Sequence, residues 1–189
     1  MRILRGIAIV SILLALLSCN IFFMTKKGRW NPMDPDNELQ EFKPSIDGYV
    51  ESGFVDSTSL LAQPSAKIIL MRFNSGDFPD VLAASYLWMY KLSDNSGNPE
   101  LEIFRIIEEW DSSITFSVAN DPGRFFNDSI VTRVRVPAEI GEVQIPLGDV
   151  FKGDRDNLQN GIIIFANDET VEFEASETPY SPLLLVEPE

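Results

Sequence analysis

Val171-Glu172-Phe173-Glu174-Ala175 alternates apolar and charged side chains with a period of two. Successive side chains of a strand point to opposite faces, so this stretch predicts a β-strand with one wet face. The runs around it are apolar on both faces: Ile162-Ile163-Ile164-Phe165 before it and Leu183-Leu184-Leu185-Val186 after it. Ile68-Ile69-Leu70-Met71-Arg72-Phe73 and Tyr86-Leu87-Trp88-Met89-Tyr90 have the same texture. Such runs predict strands near the middle of a sheet, or strands covered by a neighbouring layer. Ile130, Val134 and Val136 interleave less regularly with Thr132, Arg133 and Arg135. Turn-forming clusters separate the runs, among them Asn74-Ser75-Gly76-Asp77, Asn120-Asp121-Pro122-Gly123 and Asn160-Gly161. Only Leu147 to Phe151 has the make-up of a helical turn. About eight to ten short strands at this spacing predict an all-β domain, a β-sandwich of jelly-roll type.

The chain has 189 residues, 44% apolar and 23% charged, the balance of one globular domain. It contains no His and a single Cys. Those counts exclude a Ser-His-Asp or Cys-His nucleophile relay, an imidazole acid or base, and a Cys/His zinc site. A net charge of −14 argues against a nucleic-acid partner, whose phosphates need clustered Lys and Arg.

Arg2 and Arg5 precede an apolar stretch from Gly6 to Leu17, the layout of an export signal. The stretch ends at Leu16-Leu17-Ser18-Cys19, which resembles the lipobox of bacterial lipoproteins. The resemblance implies cleavage before Cys19, acylation of Cys19, and a lipid-anchored, extracytoplasmic place in the cell envelope, on the outer membrane or cell surface. Removing the first 18 of 189 residues leaves 171, and losing Arg2 and Arg5 takes the charge from −14 to −16. A competing reading is an uncleaved anchor, because the run from Ile7 to Met24 approaches the roughly 20 residues needed to span a bilayer. Ser18 and Asn20 interrupt that run. A lone Cys forms no internal disulfide, so the fold must rest on its apolar core. Residues 19–45 are expected to form the lipidated Cys and an extended tether, with Lys26, Lys27 and Arg29 near the headgroups and Asn31-Pro32-Met33-Asp34-Pro35-Asp36-Asn37 blocking regular structure. The domain is expected to occupy residues 46–189.

The order of the later segments adds to this. Asp47-Gly48-Tyr49-Val50 is followed by Leu70-Met71-Arg72-Phe73-Asn74, Ala84-Ser85-Tyr86-Leu87-Trp88-Met89-Tyr90, and an expected strand Glu109-Trp110-Asp111-Ser112-Ser113-Ile114-Thr115-Phe116. Val143-Gln144-Ile145-Pro146-Leu147, Asn160-Gly161-Ile162-Ile163-Ile164, Glu174-Ala175-Ser176-Glu177 and Pro182-Leu183-Leu184-Leu185 close the series. Taken in this order, residues 46–187 resemble the DNRLRE domain, also classed as carbohydrate-binding module family ninety-six. Asn74 stands where that pattern has Asp, Phe116 where it has a second Trp, and Phe151 where a further Trp often precedes the Asn-x-Gly strand. The resemblance implies a noncatalytic jelly roll of secreted and surface proteins, with acidic or neutral polysaccharide as its ligand.

Trp88, Tyr90 and Trp110, with Tyr49, are the rings able to offer a flat face to a sugar, although rings in doubly apolar runs also fill cores. Arg133 and Arg135, with Arg124, Lys152 and Arg155, are the candidate anion binders, because Arg pairs bidentately with carboxylates. Asp154, Asp156 and Asn157 lie in a loop rich in oxygen ligands that suits a structural Ca2+, although its spacing departs from an EF-hand. Glu108, Glu109 and Asp111 form an acid cluster which, as a glycosidase pair, would need to face each other across a cleft. The function expected is that of a noncatalytic, surface-tethered lipoprotein binding a glycan or a cell-envelope component. The alternative is a structural or assembly protein docking another envelope protein. An enzyme is the third reading, and without His it would have to use Tyr, Lys or carboxylates.

Overall fold

The computed structural model describes residues 39–188 apart from 152, 155, 157 and 158. The expected signal, Cys19 and most of the tether lie outside these residues. The compact unit begins at Leu39, which is buried, and Gln40–Phe42 (β1) is already paired in a sheet. The sandwich therefore starts upstream of position 46 and takes in the end of the expected tether.

Twelve further strands follow: Pro44–Val50 (β2), Phe54–Val55 (β3), Ser59–Ala62 (β4), Ile68–Phe73 (β5), Val81–Lys91 (β6), Glu100–Ile106 (β7), Phe126–Arg135 (β8), Gly141–Pro146 (β9), Gly153–Asp154 (β10), Ile162–Ala166 (β11), Val171–Glu174 (β12) and Leu183–Pro188 (β13). They form two packed antiparallel sheets, and the chain is an all-β sandwich. One sheet runs β3-β2-β5-β11-β7-β8. The other is built around the long β6, which takes β13 and then β12 along one edge and β9 and β10 along the other. The chain crosses between the sheets from β5 to β6, β6 to β7, β8 to β9 and β11 to β12, while β7 and β8 are neighbours in one sheet.

The period-two stretch 171–174 is β12, with Val171 and Phe173 buried and Glu172 and Glu174 half-buried. Inward residues of both sheets, including Ile69, Met71, Phe73, Leu87, Met89, Ile103, Ile145, Ile164, Phe173 and Leu184, make the main core. At one end the fully buried Lys91 closes this core, its ammonium 2.5 Å from the carbonyls of Ser93 and Ala138. The runs apolar on both faces have a second reason. Residues 107–125 leave the sheet after β7 and fold over the outer faces of β5, β7 and β11. Trp110, Ile114, Ala119 and Phe125 thereby bury Ile68, Leu70, Phe104, Ile106 and Ile163. The strand expected over 109–116 is absent: Asp111 accepts hydrogen bonds from the backbone N–H (2.8 Å) and hydroxyl (2.6 Å) of Ser113, turning the chain out of extended structure. A single helical turn, Phe116–Ala119 (α1), follows. The turn expected at 147–151 is present as a 3-10 turn over Gly148–Val150.

Candidate functional site

β6 presents Leu87 and Met89 to the core, which sends Tyr86, Trp88 and Tyr90 to the outer face. Their cross-strand neighbours are Pro146, Gln144 and Glu142 of β9, all exposed, and on the other side Leu185 and Leu183 of β13 pair with Tyr86 and Trp88. Trp88 is only 6% exposed, packed with Leu39 and Leu185. Tyr86 and Tyr90 are half-buried. Tyr180, in the loop before β13, stacks on Tyr90 with centroids 4.6 Å apart and rings 24° from parallel, while remaining 49% exposed. Among the described residues it is the one exposed aromatic ring. Tyr180 is the member of this surface that sequence reasoning missed; its signal was an aromatic between two prolines, Pro179 and Pro182, in a turn-rich stretch.

Trp110 lies elsewhere, over the outer face of the β5 sheet. It is 6% exposed and tied down by three segments. Its indole N–H donates to the Asn160 carbonyl at 2.7 Å, its own carbonyl accepts from Arg72 Nη1 at 2.8 Å, and Phe54 packs 5.7 Å from its ring. The structure thus separates the rings proposed from sequence: Trp88 and Tyr90 share one face, while Trp110 is a buried tie on the other sheet. Tyr49 is half-buried, with the Lys67 ammonium 5.0 Å from its ring centre.

Arg133 and Arg135 are exposed on β8, in the other sheet from β6. Each is already paired, Arg133 with Glu102 at 2.6 Å and Arg135 with Glu100 at 3.1 Å and Asp168 at 3.3 Å. They do not join the aromatic rings in one site. Asp168 also accepts from the Glu100 and Glu169 backbone N–H groups, and these hydrogen bonds hold its carboxyl below the usual range. Of the candidate calcium ligands, Asn157 lies outside the described residues, Asp154 is placed in β10, and Asp156 is exposed. Among the described residues no group of three or more acidic, Cys or His side chains is clustered to hold a metal ion.

Glu108, Glu109 and Asp111 line a hollow of about 540 Å³, together with Arg72, Ile114, Val118 and Phe125. The two hydrogen bonds from Ser113 hold the Asp111 carboxyl below its ordinary pKa, the hydroxyl contributing more than the N–H. That shift is opposite to the one a catalytic acid needs.

Two of the sequence segments quoted above meet through a buried contact. Asp47 is 4% exposed and accepts from the Ser176 N–H at 2.9 Å and from the Ser176 hydroxyl.

No protein-family model and no curated protein matches this chain. The likeness to the DNRLRE pattern therefore stands on the residues quoted for it. Among the described residues no helix is long and apolar enough to cross a membrane.

Proposed function

We propose that the sandwich is a noncatalytic binding module of DNRLRE type, held at the cell envelope by acylated Cys19, and that its glycan surface is the outer face of β6. One observation carries this reading: Tyr180 stacked on Tyr90 and half exposed, with Tyr86 on the same face and Gln144 and Glu142 alongside. A stacked, rigid pair of rings covers the C–H face of a pyranose with little loss of side-chain entropy, and the neighbouring amide and carboxylate accept or donate to its hydroxyls. Trp88 supports the surface from below.

A glycan array probed with the full chain identifies the sugar, and calorimetry on variants locates the site. Tyr180→Ala or Tyr90→Ala weakens binding by about 1–3 kcal/mol with little change in Tm. Trp88→Ala instead lowers stability by about 3–5 kcal/mol. A folded chain that binds no glycan on the array refutes the sugar reading and leaves docking of another envelope protein.

A further inference from the structure

Arg72 interrupts an otherwise apolar strand. It points to the outer face of β5 with Ile68 and Leu70, both buried beneath the 107–125 segment. Its guanidinium is half-buried and fixed in place: Nη1 donates to the Trp110 carbonyl, and the group lies 5.5 Å from the centre of the Trp110 ring. Trp110 is itself anchored through Asn160 and Phe54, so the cation is held by a rigid support. Yet no carboxylate among the described residues comes within ion-pair distance of Arg72. Its Nε and Nη2 have no acceptor among those residues.

Arg72 lines two adjoining hollows, which also share Glu109. The one of about 540 Å³ reaches Glu108, Asp111, Ile114, Val118 and Phe125, and the one of about 460 Å³ reaches Ser45, Asn74, Gln159 and Asn160. Each has the volume of a small-ligand site. An immobilised arginine that lines such a space and has unused donors fits a planar oxyanion, which it can grip bidentately. A simple anion meets Glu108, Glu109 and Asp111 around the same opening, and a simple cation meets Arg72. A ligand carrying both charges a few bonds apart satisfies the two requirements together. Ile114, Val118 and Phe125 add apolar wall for a small side chain.

We infer that this cleft binds an α-amino-carboxylate, as a free amino acid or a short peptide with free ends, with Arg72 receiving the carboxylate and the rim acids the ammonium. The site is separate from the tyrosine face and does not depend on it.

The test is calorimetric titration of the full chain with L-alanine, Ala-Ala and Ala-Ala-Ala, alongside N-acetyl-Ala-Ala and Ala-Ala amide. At least one zwitterion binds, and comparing the three distinguishes a free amino acid from a peptide. Acetylation or amidation of Ala-Ala each weakens binding by about tenfold or more, the effect of losing a charge-assisted contact. Arg72→Gln removes the preference for Ala-Ala over its amide. Should that variant lose its fold, Glu108→Gln with Glu109→Gln, both at exposed positions, carries the test by removing the preference for Ala-Ala over its N-acetyl form. Tyr180→Ala leaves Ala-Ala binding unchanged, which keeps the result independent of the glycan reading. No heat with any zwitterion at millimolar concentration overturns the proposal. So does equal binding of the blocked dipeptides, or unaltered binding by a folded Arg72→Gln variant.

Discussion

Asp47 is a carboxylate that the fold buries and then supplies with two donors from one residue 129 positions away. Burial outweighs those donors, and its pKa is raised above the ordinary aspartate value. Between the unfolded value near 3.8 and the raised native value, the native state holds a proton that the unfolded chain has released. The stabilising contribution of Asp47 is therefore complete below about pH 3.8 and fades as pH rises through the native pKa. Asn keeps an acceptor for the Ser176 N–H and can donate to its hydroxyl, without a charge to desolvate. Asp47→Asn should accordingly gain stability relative to the parent as pH rises from 3.5 to 7, measured as the difference between their melting temperatures. A difference that stays flat or moves the other way would contradict the assignment. Asp47→Ala strands both donors and should cost about 1–3 kcal/mol at pH 3.5, a cost that shrinks toward pH 7 as the parent comes to bury a charged carboxylate.

At the scale of elements, the junction into β11 is the most demanding. Gly161 has φ of +85°, and a Cβ there would lie 1.9 Å from the Met71 carbonyl oxygen and 2.8 Å from Arg72 Cα, both backbone atoms of β5. Gly161→Ala should lower stability by about 3 kcal/mol or more, read by denaturant titration, because neither the backbone angle nor its neighbour can yield cheaply. The strands around this junction were legible in sequence: β5, β11, β12 and β13 declare themselves as doubly apolar or strictly alternating runs. β7 is not legible although Glu100, Leu101, Glu102 and Ile103 alternate, because Phe104 and Ile106 continue on the polar side to meet the covering segment. That segment departs from the strand its residues predict. Trp110 and Ile114 looked like strand residues, while the Asp111–Ser113 turn that lifts them off the sheet is a short-range polar contact hidden between them. The candidate site was legible in part. Tyr90 follows from its strand, but its partner Tyr180 lies 90 residues on and only the pairing of β13 with β6 brings the two near. Arg72 was visible as a lone charge in an apolar run, and nothing local says that Trp110 will hold it.

For the whole molecule, the sole cysteine lies outside the described domain, so the sandwich is stabilised by packing without a disulfide. If Cys19 carries the acyl chains, Cys19→Ser should move the protein from the membrane to the soluble fraction and abolish labelling by a fatty-acid analogue. The domain's cooperative melt should stay unchanged, and acyl labelling that persists in the mutant would remove the anchor from the proposal.

β1 pairs with β13, Gln40 opposite Val186, so the first strand of the sandwich closes on the last. Nearly the entire domain lies in the loop that this pairing seals, and β13 also lines most of β6. Contacts of such long sequence separation make folding slow, since chain-closure entropy is lost before the pairing can offset it. A nascent chain that has not yet delivered residues 183–188 exposes the edges of both β1 and β6, two ready templates for another unfinished copy. Pairing of β13 with both β1 and β6 is what seals those two edges.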